Sequence, residues 1–396
     1  MSSIELFAGA GGLAMGMARA GFQHSAVVEW DRDACATIRA NRAHYDSHGC
    51  DYELFEGDVL DFDLRPYAEK LDVISGGPPC QPFSLGGKHQ GNLDARDMFP
   101  AAVSAVRQTM PKAFIFENVR GLLRQSFSSY FEYIYLQLSY PELVKARGET
   151  WQEHLGRLEK HHTGSSRRPT YNVVFRLLNA ANFGVPQKRE RVFLVGFRSD
   201  LGVNWAFPDP THTEDALLRA KWITGEYWEK HRVSKRRRPE PPTRQLKRIA
   251  RLEDEEDSVG GMSRWNTVAD AIGDLPDPEN SRRNRAENHV FVPGARSYPG
   301  HTGSPLHEPA KTLKAGDHGV PGGENMLVRA DGAVRYFTVR EAARLQTFPD
   351  TYIFHGSWSE TMRQLGNAVP VRLGEVVARS VAEALHATSV RSEASS

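Results

Sequence analysis

The stretch LDVISGGPPCQPFS, residues 71–84, decides the fold class. Its apolar beginning, residues 71–74, is typical of a buried strand, and the turn that follows holds one cysteine among three prolines. Open α/β sheets bind and react with ligands at the carboxyl ends of their strands, and prolines restrict the backbone around the thiol. A lone cysteine is usually a small buried side chain. This strand-end position instead predicts that Cys80 is a reacting thiol.

Length and composition limit the classes of protein that need to be considered. The 396 residues suffice for one large or two medium domains, and no apolar run approaches the ~20 residues of a membrane helix. The chain has three cysteines and no CxxC pair, which favours a reducing compartment and argues against a zinc site. The absence of a signal peptide predicts a cytoplasmic protein. With a net charge of +1, any nucleic acid must be held by local patches.

The N-terminal residues predict a nucleotide-type cradle. A strand at 4–7, a glycine turn at 8–12 and a helix at 13–20 let a ligand approach the backbone, although such a loop also fits NAD enzymes. The next strand, 25–28, ends in Glu29, which suits ribose hydroxyls, and Trp30, which either stacks on adenine or packs in the core. After a third strand at 52–55, Asp58 is either an adenine ligand or an ordinary turn aspartate.

Two further strands bring charged residues to the predicted edge. The strand at 112–116 follows a helix at 98–110 and carries Glu117, a general-acid candidate whose alternative is a surface or N-cap acid. Strands at 172–178 and 191–196 complete the core. Arg189 and Arg191 alternate at the start of the second, and arginines there suit a phosphate or a pyrimidine carbonyl. A solvated strand edge is the alternative.

The rest of the chain carries weaker signals. Residues 85–96 predict a mobile lid, and residues 127–160 are largely helical within an accessory segment that ends near 170. From 207 to 334 periodicity fades, which predicts a loop-rich second domain. Its basic run, 231–251, is either a phosphate-contacting arm or a flexible segment neutralised by the acids at 253–257. Helices are predicted at 338–347 and from 364 to 385, with a frayed end at 387–396.

Taken in order, these stretches resemble the cytosine-C5 DNA methyltransferase family. The resemblance covers about the first half of the chain and its last sixty residues. It is carried by LFAGAGG (6–12), EWD (29–31), GDV (57–59), GPPCQPFS (77–84), ENV (117–119), QKRER (187–191), REAARL (340–345), FPD (348–350) and QLGN (364–367). Order and spacing together make this set far more specific than any one motif.

The resemblance implies a Rossmann-like, S-adenosylmethionine-dependent methyltransferase sheet. Residues 1–200 and 335–390 would form it, and 201–334 would be a smaller, loop-rich target recognition domain. A methyl group would pass to C5 of a flipped-out cytosine in double-stranded DNA, leaving S-adenosylhomocysteine. By resemblance Cys80 attacks C6, Glu117 hydrogen-bonds or protonates N3 and Arg191 holds O2. Arg189 would lie beside Arg191 or on a phosphate, and Asn118 would orient Glu117 or the base.

The resemblance also implies two sets of binding residues. Those expected around S-adenosylmethionine are Phe7, Ala8, Gly9, Gly11, Gly12, Glu29, Trp30, Asp58, Val59, Pro78, Phe99, Asn367 and Ala368. Those expected at the DNA are Ser84, Lys88, Gln187, Thr312 and Leu313. At Gly86 the chain departs from relatives that carry a polar residue there, so the residue that fills the vacated space in the duplex is not identified.

Three alternatives compete with this interpretation. A tRNA cytosine-C5 methyltransferase shares the motifs, but those relatives carry a Cys-Phe-Thr element in the recognition region, and no cysteine follows Cys80 here. A non-catalytic DNA-binding homologue would be expected to lose Cys80, Glu117 or the glycine loop. A dehydrogenase would also carry such a glycine loop, but nothing else in the sequence supports hydride transfer. By this resemblance we expect a bacterial, nucleoid-associated modification enzyme that needs no metal and acts as a monomer, with a restriction endonuclease for the same site as its candidate partner.

Overall fold

The computed structural model describes residues 1–45, 52–79, 97–164, 169–254, 259–280, 286–299, 302–316 and 325–393. The chain forms two compact units. Unit 1 comprises Met1–Leu178, Glu190–Pro208 and Gly374–Ser396, and unit 2 comprises Asn179–Arg189 and Asp209–Leu373. This division concerns compactness alone, so the boundaries that the sequence suggests for a catalytic and a recognition domain stay a prediction.

Unit 1 is built on a seven-stranded sheet with the order β3-β2-β1-β4-β5-β7-β6. Its strands are β1 (Ser2–Leu6), β2 (Gln23–Glu29), β3 (Glu53–Glu56), β4 (Val73–Gly76), β5 (Ala113–Val119), β6 (Tyr171–Asn179) and β7 (Glu190–Arg198). β1 to β5 are parallel, and β7 is antiparallel to β5. The strand order reverses between β1 and β4, so the ligand crevice of such a sheet opens beyond their C-terminal ends. The predicted α/β class is confirmed.

Five helices of unit 1 lie between these strands. They are α1 (Gly12–Arg19), α2 (Arg32–Ala40), α3 (Phe99–Thr109), α4 (Ser128–Ser139) and α5 (Trp151–Gly164). Apolar side chains of α3 and α4 share one hydrophobic core with the sheet, which includes Phe99, Ile134, Leu6 and Phe116. The helix expected at 98–110 is confirmed, and the helical accessory segment consists of α4 and α5.

Unit 2 contains more helix than the sequence suggested. Its described residues form α6 (Glu214–Trp222), α7 (Glu226–Lys230), α8 (Leu246–Asp254), α9 (Val268–Ile272), α10 (Val339–Leu345), α11 (Trp358–Asn367), β8 (His212–Thr213), β9 (Ser263–Arg264), β10 (Ser304–Pro305), β11 (Met326–Val328) and β12 (Val334–Tyr336). Loops and turns nevertheless make up most of the described residues between 207 and 334, in line with the loop-rich expectation. Short helices form there because they bury aromatic side chains, with Trp228 and Trp265 in one cluster with Leu217.

The last helix, α12, spans Val371–Glu393. The prediction of a frayed end at 387–396 is wrong for residues 387–393, which are helical. No glycine or proline after Leu385 interrupts the helix. A Cβ added at Gly374 would lie 3.2 Å from Leu13 Cδ1, so α12 packs closely on α1. Across the described residues, no helix combines the length and the apolar character that crossing a membrane would require.

Candidate active site at the C-terminal edge of the sheet

The loop between β1 and α1 has an unusual backbone. Phe7, Gly9 and Gly11 adopt positive φ angles of 55°, 56° and 74°. A side chain at Gly11 would collide with the Tyr45 hydroxyl, whereas a Cβ at Gly9 would have no heavy atom of the described residues within 4 Å. Only glycine fits at position 11, because any side chain there would meet Tyr45. The backbone at Gly9 instead faces open space, where a ligand can approach.

Glu29, at the end of β2, ties this loop to the sheet. Its carboxylate accepts hydrogen bonds from the amides of Gly9 at 2.6 Å, Asp31 at 2.8 Å and Trp30 at 3.0 Å. Burial raises the pKa of Glu29, and the amides oppose that rise. The adjacent Trp30 is 78% exposed, which rules out the core-packing alternative for this indole. Glu29 and Trp30 therefore flank the open backbone of Gly9.

The other residues expected around the cofactor occupy different environments. Asp58 is exposed and caps a short turn by accepting from the Leu60 amide at 3.0 Å, as an ordinary turn aspartate does. Val59 and Phe99 lie in the hydrophobic core, and Phe99 is fully buried. In unit 2, Asn367 is exposed at the end of α11, and Ala368 is buried. Their predicted roles around the cofactor stay predictions.

The turn that leads to Cys80 is held at two points. The Pro78 carbonyl accepts from Asn118 Nδ2 at 2.9 Å, and the Pro79 carbonyl accepts from the Met98 amide at 2.9 Å. Asn118 Oδ1 also accepts from the Val119 amide at 2.8 Å. Asn118 thus fixes the turn after β4, and its predicted role in orienting Glu117 or the base stays a prediction. Three expected site residues lie outside the described residues, namely Cys80, Ser84 and Lys88.

Glu117 and Arg191 form a buried ion pair at this edge. Arg191 Nε lies 2.7 Å from Glu117 Oε1, and the two side chains are only 10% and 8% exposed. The pair forms because β5 and β7 are antiparallel, with Glu117 opposite Phe193 and Val119 opposite Arg191 on the same face. Burial lowers the pKa of Arg191, and the charge of Glu117 opposes that change. The surface-acid alternative for Glu117 is wrong.

Arg189 does not accompany Arg191. It lies before β7, in unit 2, and is fully buried. Its guanidinium donates to the carbonyls of Gly366 at 2.7 Å, Leu313 at 2.9 Å and Ala368 at 2.9 Å. A guanidinium engaged in this way links parts of unit 2 that are distant in sequence. We therefore assign Arg189 a structural role, in place of the predicted contact with the pyrimidine or a phosphate.

Two of the residues expected at the DNA are also buried in unit 2. Gln187 is fully buried, with its Oε1 accepting from the Leu313 amide at 3.0 Å and its Nε2 donating to the Leu345 carbonyl at 3.3 Å. Leu313 itself is 1% exposed. The side chains of Gln187 and Leu313 are thus packing elements here, which corrects their predicted contact with DNA. Thr312 is partly buried and donates to the Lys188 carbonyl at 2.7 Å.

Glu5 was not singled out by the sequence reasoning. It lies in β1, is 1% exposed, and its carboxyl accepts a hydrogen bond from the Ser75 hydroxyl. An acid inside an otherwise apolar strand was the signal that could have identified it. Within the described residues no group of three or more His, Cys, Asp or Glu side chains is arranged to hold a metal ion.

Comparison with known proteins gives matches over nearly the whole chain. The family model for C-5 cytosine-specific DNA methylase matches residues 1–140 and 143–383. The chain is 31% identical to the Type II methyltransferase M.NgoMIV of Neisseria gonorrhoeae, covering 97% of this chain and 98% of that protein. It is 31% identical to M.Eco47II of Escherichia coli, covering 96% and 79% respectively. A solved structure of Spodoptera frugiperda DNMT2 matches with a TM-score of 0.56 at 17% identity, covering 96% and 99%.

Proposed function

Because the chain belongs to the C-5 cytosine-specific DNA methylase family, we propose that it methylates C5 of a cytosine flipped out of one short duplex sequence, with S-adenosylmethionine as donor. It is a DNA cytosine-C5 methyltransferase. The finer proposal includes a covalent bond between Cys80 and C6, and action as a monomer that protects DNA from a restriction endonuclease for the same site.

The observation that carries the proposal is the buried pair of Glu117 and Arg191 at the edge of the sheet. A cytosine presents its N3 and O2 atoms side by side, and a carboxyl group beside a guanidinium complements both. The pair also lies next to the turn that leads to Cys80, since a Cβ at Gly77 would be 3.3 Å from Glu117 Oε2. The strand that leads to Cys80 and the two groups that would hold the base therefore end at one edge of one unit.

These residues supply the chemistry that the ring needs. Attack of the Cys80 thiolate on C6 pushes an electron pair onto C5, the carbon that receives the methyl group. A proton on Glu117, shared with N3, offsets the negative charge that develops in the ring. Loss of the C5 proton to a base, which water can supply, then restores the double bond and expels the Cys80 thiolate. The base must leave the duplex stack, because neither C6 nor C5 is accessible within it.

The glycine loop fits S-adenosylmethionine, which supplies an electrophilic methyl group when bound. The open backbone at Gly9 leaves room for a ligand, and the exposed Trp30 offers a ring face on which adenine stacks. Glu29 Oε2 accepts from Gly9 and, as a carboxylate oxygen, has capacity for a second donor such as a ribose hydroxyl. We propose that these residues bind the cofactor, together with the loop from Phe7 to Gly12.

The basic segment, residues 231–251, supports the choice of nucleic acid as substrate. Part of it is folded, because α8 packs Ile249 and Leu252 against Leu218. Arg248 is neutralised by Glu214 and Asp215, whereas Lys235–Arg237 form an exposed turn of three consecutive cations. An exposed, preorganised cationic turn matches the phosphate backbone, which dominates the affinity of proteins for DNA. We propose that this turn contacts phosphates of the duplex.

Methyl transfer to plasmid DNA tests the proposal directly. The protein would be incubated with radiolabelled S-adenosylmethionine and plasmid, and the product mapped by bisulfite sequencing. We expect label on cytosine C5 at one repeated short sequence, and we expect Cys80→Ser to lose turnover while it still binds DNA. Sustained methylation by Cys80→Ser would remove Cys80 from its role, and label on tRNA with none on DNA would overturn the choice of substrate.

A further inference from the structure

Glu5 is a buried acid that the proposed reaction does not use. It lies in the middle of the sheet, opposite Ser75 in the ladder between β1 and β4, and the Ser75 hydroxyl donates to its Oε2 atom. A carboxyl group with 1% exposure is costly to bury in its charged form. Acids rarely occupy such a position without a role, so its neighbours on the same face decide what it does.

Glu5 and Glu117 lie on the same face of the sheet. Ser75 is opposite Glu5 on one side and opposite Ile115 on the other, and Glu117 follows Ile115 by two residues, so all point to one side. Gly77 places no side chain between Ser75 and Glu117 at the strand end. With a strand spacing of about 4.8 Å, the two carboxyl groups are two strands apart in a water-poor interior. At that separation each charge disfavours ionisation of the other.

Among the described residues, the other charged groups near this face already have partners. On β2, Glu29 is bonded to backbone amides, and His24 is held neutral between Ser3 and the Ala14 carbonyl, with burial lowering its pKa to about 4. On the helices that pack on this side, Arg19 is paired with Glu375. On β7, the guanidinium of Arg191 is bonded to Glu117.

This arrangement favours a single proton for the two carboxyl groups, which one of them holds at a time. Arg191 stabilises the ionised form of Glu117, which leaves the proton on Glu5 in the free protein. Burial raises the pKa of Glu5 to about 8, the Ser75 hydrogen bond opposes that rise, and the charge of Glu117 adds to it. Such a pair releases its two protons in separate steps, and the second step is delayed to alkaline pH because it would leave two buried anions.

We propose that Glu5 is a positioning residue that keeps one proton available to Glu117 when a cytosine occupies the site. When N3 of the base approaches, Glu117 takes up a proton and Glu5 releases one, so that Glu5 becomes a carboxylate that accepts from Ser75. The total charge of the pair does not change. This inference rests on the proposed role of Glu117 at N3, and it goes beyond that role by naming what holds the proton beforehand.

The test is the pH dependence of single-turnover methyl transfer in wild type, Glu5→Gln and Glu117→Gln. Glutamine at position 5 keeps the shape and a partner for Ser75 but carries no exchangeable charge. We expect the alkaline limb of Glu5→Gln to move down by about one pH unit, which makes it about tenfold slower than wild type near pH 9, with little change at pH 6.5. Superimposable profiles for Glu5→Gln and wild type would overturn the inference.

Two further results separate this inference from the proposed function. If Glu117→Gln reacts as fast as the wild type, the proposed role of Glu117 is wrong. If Glu117→Gln is slow but Glu5→Gln has the pH profile of the wild type, only the inference about Glu5 is overturned. A ¹³C NMR titration of glutamate carboxyls in the wild type does not depend on folding of the Glu5→Gln variant. We expect one carboxyl to titrate near pH 8 and its midpoint to fall in Glu117→Gln, whereas an unchanged midpoint would contradict the coupling.

Discussion

Replacing Glu5 by glutamine should stabilise the protein in a pH-dependent manner. In the folded protein the pKa of Glu5 rises from 4.5 to about 8, so at neutral pH folding forces a proton onto a group that is ionised in the unfolded chain. At 1.36 kcal/mol for each pKa unit, the full effect is on the order of 5 kcal/mol. The value is an upper bound, because burial is the main cause of the shift and local relaxation reduces its cost.

The direction of this pH dependence follows from the raised pKa of Glu5. Because the folded-state pKa is raised, the wild type loses stability as the pH climbs from about 4.5 and stops losing it above about 8. Glu5→Gln lacks this loss, so its free energy of unfolding relative to wild type should be nearly constant below pH 4.5 and should increase between pH 5 and pH 8. Urea unfolding, followed by tryptophan fluorescence at several pH values, measures this difference.

A matched control is available in the same unit. Glu383 lies on α12 and is exposed, so Glu383→Gln removes the same charge without the burial, and its stability difference should not follow this pH dependence. If Glu5→Gln and wild type differ by the same free energy at pH 5 and at pH 9, the carboxyl of Glu5 does not titrate in this range. The buried environment described for Glu5 would then be incorrect.

Three other perturbations have outcomes that the contacts determine. Both Gly9→Ala and Gly11→Ala should lower the melting temperature through their positive φ angles, but Gly11→Ala should lower it more, because its Cβ also meets Tyr45. Gly9→Ala should in addition lose affinity for S-adenosylmethionine in calorimetry, and equal effects of the two variants on the melting temperature would refute the open backbone at Gly9. Arg189→Ala should destabilise unit 2 by about 3–5 kcal/mol in urea unfolding, since three buried carbonyls lose their donor, and a near-neutral change would indicate that water replaces it. Replacing all of Lys235–Arg237 by alanine should reduce the slope of log Kd against log salt by about 2.7, while the control Lys145→Ala with Arg147→Ala in unit 1, also exposed, should leave it unchanged.

The sequence predicted the framework of the site well because the framework is local. Apolar runs that end in glycine or proline indicated β1 and β4, and parallel strands necessarily bring their C-terminal ends to one edge. These two local features suffice to predict that Glu29, Trp30 and Glu117 lie at the edge. The helix predicted at 98–110 is likewise local, because the buried positions of α3 recur with helical spacing.

The errors concern residues whose partners are distant in sequence. Arg189 and Arg191 were expected on one face because alternate residues of a strand share a face, but β7 begins only at Glu190. The acceptors of Arg189 lie at Leu313, Gly366 and Ala368, more than 120 residues away. Local sequence patterns contain no information on such distant contacts. For that reason Arg189, which is buried, was predicted to contact a ligand.

The antiparallel direction of β7 explains how Arg191 reaches the active edge at all. In a fully parallel sheet only residues that end a strand reach this edge, and Arg191 stands near the start of its strand. Because β7 runs opposite to β5, its first residues lie beside the last residues of β5, with Arg191 opposite Val119. A register slip of one residue would turn Arg191 to the other face and leave Glu117 as a buried carboxylate without its cation, at a cost of about 3–5 kcal/mol. The ion pair therefore reports the register of the sheet as well as the chemistry of the site.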